Sequence, residues 1–206
     1  MDQKRKKAIQ QLKKLKKLVE HRDDVRLAAD WPEKWKVLIS TILSSQTKDE
    51  TTIAISNTLY RKYPTLKHLA GASLRDIKKI IRPVNYYKTK AKHILLTSKV
   101  LVNTYGCKIP SDREKLLELP GVGRKVANVY LAVQGYQTIG VDTHITFLAQ
   151  ELGWTKNKNP HKIEKDLEEL FPKKYRGSIN YILVRFGRIF NTKKKQVGKL
   201  TEEGVI

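Results

Sequence analysis

An all-α fold is predicted by three observations. Apolar residues recur at helical spacing along most of the chain, capping residues stand ahead of several of those runs, and only Thr138 to Val141 reads as a strand, too short to found a sheet. Ile9, Leu12, Leu15 and Val19 form the first stripe, with lysines on the other face. Such a helix could lie on a membrane surface, but docking onto a core with a basic outer surface is the preferred reading. Trp35, Leu38, Ile39 and Ile42 give the next stripe, and Ile55, Leu59 and Tyr63 continue the pattern. Ser73 with Asp76 has the form of a capping box before Ile77, Ile80 and Ile81, and Ser111 with Glu114 is a cleaner one before Leu116 and Leu117. Asn159-Pro160 suits an N-cap followed by the first helical position, ahead of Ile163, Leu167 and Leu170. The last periodicity runs from Ile179 through Ile182 and Leu183 to Phe186. There is no tandem repeat or low-complexity linker, and only the lysine-rich ends are compositionally biased.

The chain of 206 residues can hold one large or two small domains with a sizeable core. Its 42 Lys and Arg against 20 Asp and Glu give a net charge of +22. A field of that sign gathers polyanions, so nucleic acid leads as the partner, with anionic membrane behind it and a solvated lysine-rich surface as the bland alternative. No apolar stretch approaches the ~20 residues of a membrane span, and charge occupies the N-terminus where a secretory signal would be apolar. An intracellular protein of the cytoplasm or nucleoid is expected, not bound to membrane. The single cysteine, Cys107, excludes an intramolecular disulfide and any all-cysteine metal or iron–sulfur site within one chain. Cys107 itself is expected to be a small buried hydrophobe, and Trp31, Trp35 and Trp154 to be packing residues.

The chemistry concentrates in two runs. Leu119-Pro120-Gly121-Val122-Gly123-Arg124-Lys125 is followed, seventeen residues after its lysine, by Asp142 within Val141-Asp142-Thr143-His144. The glycines can take the positive φ of a tight turn and let a bulky ligand approach backbone amides. Those amides then stand at a helix N-terminus, which favours a phosphate. A lysine can attack a sugar C1′ if something keeps its amine partly neutral, as a low-dielectric cleft or a neighbouring cation such as Arg124 does, and a nearby carboxylate can shuttle the protons. Each residue has a bland alternative as well. Any one lysine is usually a solvated charge, and Asp142 before Thr-His-Ile-Thr-Phe is an ordinary N-cap, a role compatible with chemistry. His144 could be a surface or core histidine; its place in Val141-Asp142-Thr143-His144 favours a DNA-facing role, and no ligand cluster supports a metal.

These two runs closely resemble the helix-hairpin-helix, Gly/Pro-Asp superfamily of DNA glycosylases, and the lysine after the hairpin points to its endonuclease III branch. The resemblance extends to Leu43-Ser44-Ser45-Gln46-Thr47-Lys48-Asp49, which is similar to the family's LS-x-Q-x-x-D segment. It also covers Tyr87-Lys88-Thr89-Lys90-Ala91, similar to Y-x-x-K-A, and the late Phe186-Gly187-Arg188. It implies two helical lobes with a DNA-binding cleft between them: residues 26–135 with the helix-hairpin-helix, and 1–25 with 136–206. It implies Lys125 as the nucleophile and Asp142 as the carboxylate that assists it, with Gly121, Val122, Gly123, Arg124 and His144 binding DNA. Gln46 matches the wedge position that answers an orphaned base, and Tyr86 the second intercalating position, with a core aromatic as its alternative. Asp49 matches a carboxylate of the base pocket, with an exposed helix acid as its alternative. Asn85 replaces the usual glycine and is expected to take the left-handed turn in its stead.

One departure stands out. Many endonuclease III relatives carry four C-terminal cysteines around a four-iron four-sulfur cluster. After Gly187-Arg188 this chain reads Ile-Phe-Asn-Thr-Lys-Lys-Lys-Gln, with Asn191 near the expected first cysteine. The cluster is expected to be absent, leaving the C-terminal end held by packing or loose, and no metal or organic cofactor is implied. The expected function is a bifunctional, monomeric DNA glycosylase and AP lyase for damaged pyrimidines in duplex DNA. The alternatives are a uracil or mismatch glycosylase and a helix-hairpin-helix protein that binds DNA without cutting it.

Overall fold

The computed structural model of the chain describes residues 2–22 and 24–206. Among them there is no strand; Thr138 to Val141 is irregular backbone, too short and too isolated to find a pairing partner. Helix α1 (Asp2–Val19) buries Ala8, Leu12, Leu15 and Val19, whereas Ile9 sits at the edge of the stripe and stays half-buried. The chain forms two compact units, Leu27–Tyr130 and the combination of Met1–Arg26 with Leu131–Ile206. Among the described residues no helix is long and apolar enough to cross a membrane.

In Leu27–Tyr130, α2 (Lys34–Ser44), α3 (Asp49–Lys62), α4 (Leu66–Ala70) and α5 (Leu74–Ile80) precede the longer α6 (Tyr87–Asn103), which packs against α2, α4 and α5. Val37, Leu38, Ile39, Ile42 and Leu43 leave α2 almost no exposed face beyond Trp35 and its lysines. The α2–α3 contact is sealed by polar groups that satisfy one another. Ser40 Oγ bonds Ser56 Oγ at 3.1 Å and the Tyr60 hydroxyl at 2.6 Å, and that hydroxyl also lies 2.9 Å from Lys36 O. Trp31 and Trp35 set their edges against Tyr60, the packing role expected of them. Ser73 accepts from the Asp76 N–H as the N-cap of α5. For α7 (Arg113–Leu117) the cap is Asp112, which accepts from Lys115 N–H at 3.0 Å, and not Ser111. Two adjacent residues could cap, and the sequence does not show which one the preceding turn delivers. Cys107 is half-buried with φ 67, directly after Gly106 at φ 56. It lies in the reversal that ends α6 instead of in the core, because a left-handed exit is a common way to satisfy terminal carbonyls. The last helix to begin in this unit is α8 (Arg124–Val133).

The other unit is built from α1, α9 (Thr143–Glu151), α10 (Pro160–Leu170), α11 (Lys173–Ile189) and α12 (Lys193–Glu202). Its core gathers Leu12 and Leu15 of α1, Leu148 of α9, Leu167 of α10, and Leu183 and Phe186 of α11. Asn159 caps α10 with Pro160 at its start. Buried Gln11 accepts from Trp154 Nε1 at 2.7 Å and donates to Val205 O at 2.9 Å, joining α1 to the C-terminal end. Helix α12 is capped by Thr192 and buries Leu200, and buried Gln196 donates to Gly187 O at 3.3 Å. The end that lacks the four cysteines is thus held by packing and hydrogen bonds.

Candidate active site and nucleic-acid interface

The hairpin lies between α7 and α8. Gly121 has φ +79, and a Cβ there would meet the Cβ and ring of His93 at 2.7 to 2.9 Å, so both conformation and space require glycine. Gly123 needs no positive φ and a Cβ there would have nothing within 4 Å; its exposed backbone leaves that face of the turn open to a ligand. Val122 turns inward within the hairpin. Its side chain is buried and its N–H is already bonded to Leu119 O at 3.0 Å, so it anchors the turn from beneath. Thr97 Oγ1 of α6 donates to Pro120 O at 2.6 Å, a second tether.

Helix α8 starts on the heels of this turn, at Arg124, with Ala127 N–H bonded to Gly123 O as its first repeat. The opening turn of a helix has no intrahelical carbonyls for its N–H groups and stands at the positive end of the helix dipole, a position that favours a phosphate. Lys125 belongs to that same opening turn and is half-buried, as is Arg124.

Gln46 and Tyr86 are exposed, Tyr86 at 67% of its surface, which removes the core-aromatic alternative. Both backbones are left-handed, φ 55 and 59. Asn85 is not; the turn is taken by Tyr86, which is the N-cap of α6. The Asn85 amide instead donates from Nδ2 to Gln46 O at 2.5 Å, joining two segments that are thirty-nine residues apart. Asp49 opens α3 at only 7% exposure, which discards its reading as an exposed helix acid. Sequence reasoning missed Lys90. Its Nζ donates to Leu43 O at 2.7 Å, Ser45 O at 2.5 Å and Thr47 Oγ1 at 3.1 Å, and its pKa is pushed down to about 8, first by burial and then by the charge of Lys125. The Y-x-x-K-A match was the available signal, but one lysine among so many carries no mark of burial.

Asp142 and His144 belong to the other unit. Asp142 is the half-buried N-cap of α9, accepting from Ile145 N–H at 2.9 Å, a bond that fixes the direction of one carboxylate oxygen. The segment leading to it is clamped by a residue that apolar periodicity passed over. Asn180, on the flank of the buried stripe of α11, accepts from Gly140 N–H at 2.9 Å and donates to Gly140 O at 2.7 Å. Asn180→Ala would leave both buried groups of Gly140 unpaired, and the expected loss is about 2–4 kcal/mol of unfolding free energy, read by urea titration. A loss below about 0.5 kcal/mol would mean that water replaces the amide. His144 rests its ring on Gly187, where any Cβ would collide with it, which accounts for the glycine of the late Gly187-Arg188 pair.

Residues 39–173 match the model of the family described as HhH-GPD superfamily base excision DNA repair protein. The chain is 42% identical over 156 residues to endonuclease III of Thermotoga maritima, covering 75% of this chain and 73% of that one. It is 33% identical to endonuclease III of Bacillus subtilis (strain 168), covering 75% and 71%. Among solved structures, the trapped endonuclease III–DNA covalent intermediate superposes with a TM-score of 0.82 at 28% identity, over 92% of this chain and 89% of that chain.

Proposed function

Since the chain belongs to the HhH-GPD superfamily of base excision DNA repair proteins and lacks the cysteines of an iron–sulfur cluster, we propose that it is a bifunctional DNA glycosylase and AP lyase acting on damaged pyrimidines in duplex DNA. The observation that carries this reading is the placement of Lys125 in the opening turn of α8, directly behind the Gly121–Gly123 turn. A phosphate received by that turn brings a deoxyribose within reach of the adjacent amine.

The damaged nucleotide must first leave the stack, with Gln46 and Tyr86 filling the gap and the carboxylate of Asp49 serving the base pocket. The neutral amine of Lys125 attacks C1′, forming an N–C1′ bond. The C1′–base bond breaks with its electron pair going to the base, which departs after taking up a proton. Asp142 assists the nucleophile, steadies the positive charge that develops on the sugar and carries protons between the two. Loss of the amine proton and opening of the ring give a protonated Schiff base at C1′, which acidifies the 2′ hydrogen. Removal of that proton expels the 3′ phosphate by β-elimination, and water releases the cleaved product from Lys125. His144, Arg124 and the amides around Gly121 and Gly123 grip the strand meanwhile.

The test is a panel of end-labelled duplexes, each with one lesion, incubated with and without borohydride. Strand cleavage together with a trapped covalent adduct on oxidised pyrimidines is expected. Base release without trapping indicates a monofunctional glycosylase, and retention without release or cleavage indicates a binding protein; either overturns the reading. With a net charge of +22, affinity for the same duplexes should fall steeply with salt as counterions are released, and a flat response would remove electrostatic phosphate contact from the account.

A further inference from the structure

We propose that Lys90 and Asn85 are positioning residues that lock Gln46 and Tyr86 into one preassembled two-tipped wedge. The inference rests on the reading that these two side chains enter the DNA stack.

The end of α2 shows why a clamp is needed. Its last carbonyls have no intrahelical partners. Thr47 N–H takes Ser44 O at 3.0 Å, and Lys90 takes the carbonyls on either side, Leu43 O and Ser45 O, with Thr47 Oγ1 as its third acceptor. An ammonium has three N–H donors; two are directed at Ser45 and Thr47, the residues flanking Gln46, and the third at Leu43 O in the last turn of α2. A cation at this place also complements the negative end of the α2 dipole. Lys90 reaches it from the first turns of α6, the helix whose N-cap is Tyr86. One side chain therefore refers the Gln46 loop to the helix that presents Tyr86. Burial works against it, since only 6% of its surface is exposed and the charged form is disfavoured there. A buried cation with a costly charge and a complete set of acceptors at the end of α2 and in the loop after it fits a placing role better than a stabilising one.

Asn85 makes the second tie, between its amide and Gln46 O, a bond that glycine at this position could not form. Both tips adopt a conformation that L-residues resist. Gln46 follows the helix cap Ser45, where glycine is usual, and Tyr86 is an N-cap, where extended backbone is usual. Strained, exposed backbone persists only where its surroundings over-determine it, and here the surroundings are these two ties. Cys107, also left-handed, needs no side-chain tie because its N–H folds back onto Leu101 O, closing the C-terminal end of α6.

The test compares single-turnover rates for removal of a paired oxidised pyrimidine and for cleavage of a preformed abasic site, with 2-aminopurine fluorescence beside the lesion reporting insertion. Gln46→Ala should lower the ratio of the two rates, which establishes the wedge itself. Asn85→Gly should lower that ratio about threefold to tenfold and slow the fluorescence change, the scale expected for loss of one strong hydrogen bond. In the Gln46→Ala background the same substitution should change the ratio less than about twofold, because no glutamine tip remains to be placed. Lys90→Met should act in the same direction with partial recovery in Lys90→Arg, and a melting curve separates misfolding from misplacement; Asn85→Gly decides if neither Lys90 variant folds. A selective effect of Gln46→Ala without one from Asn85→Gly overturns the positioning proposal alone. No selective effect of Gln46→Ala overturns the wedge reading and the proposal together.

Discussion

Lys125→Ala is expected to abolish borohydride trapping and slow strand cleavage by at least about a thousandfold, while affinity for an abasic-site duplex falls less than about tenfold. The asymmetry follows from what the substitution leaves in place. The hairpin, with Gly121 seated on His93 and Pro120 tethered by Thr97, does not depend on the lysine side chain, nor do the amides that open α8. Only the amine proposed to attack is lost. Undiminished trapping would assign the chemistry to another amine. Lys90 is a poor substitute although it feels the charge of Lys125, since its donors are committed to Leu43, Ser45 and Thr47. Mass spectrometry of the trapped peptide identifies the residue directly.

Asp142→Asn is expected to slow base removal and abasic-site cleavage alike, by about a hundredfold to a thousandfold, with unfolding free energy changed by less than about 0.5 kcal/mol. Asparagine still accepts the Ile145 N–H that starts α9, so the cap survives while the charge and the proton-carrying capacity go. Asp142→Ala should add a stability loss of about 1 kcal/mol. A slowing confined to base removal would move Asp142 from the chemistry of the sugar to that of the base. A large stability change in Asp142→Asn would show that the carboxylate is mainly structural.

What the sequence disclosed depends on how local each cause is. The helices and the caps at Ser73, Asn159 and Asp142 could be read because periodicity and capping are set by residues a few positions apart. Ser111 and Asp112 show the limit of that resolution, since either could cap and only the course of the preceding chain selects Asp112. Asn85 was recognised as a turn residue in place of glycine, but the left-handed residue proved to be its neighbour Tyr86. The decisive partner of Asn85 is Gln46, which no window along the chain contains. Lys90 and Asn180 escaped for the same reason. Each is a polar residue whose hydrogen-bond partners lie more than thirty positions away, so its burial is a property of the tertiary structure alone. Val122 lay inside a motif read as DNA-binding, and only the fold separates the part of that motif facing the interior from the part facing outward.

Helix α6 presents Lys90, His93 and Thr97 on one face, at the helical spacings of three and four residues, with Tyr86 just before its first turn. The first of these meets the Gln46 loop, and the other two meet the hairpin. The helix is therefore a ruler. From Lys90 to Thr97 it measures about 10 Å along its axis, and adding or removing one residue would swing everything beyond that point by about 100°. This stretch can exchange residues as evolution proceeds, yet its length is fixed: in functional relatives, insertions and deletions should fall in loops and spare the interval from Tyr86 to Thr97.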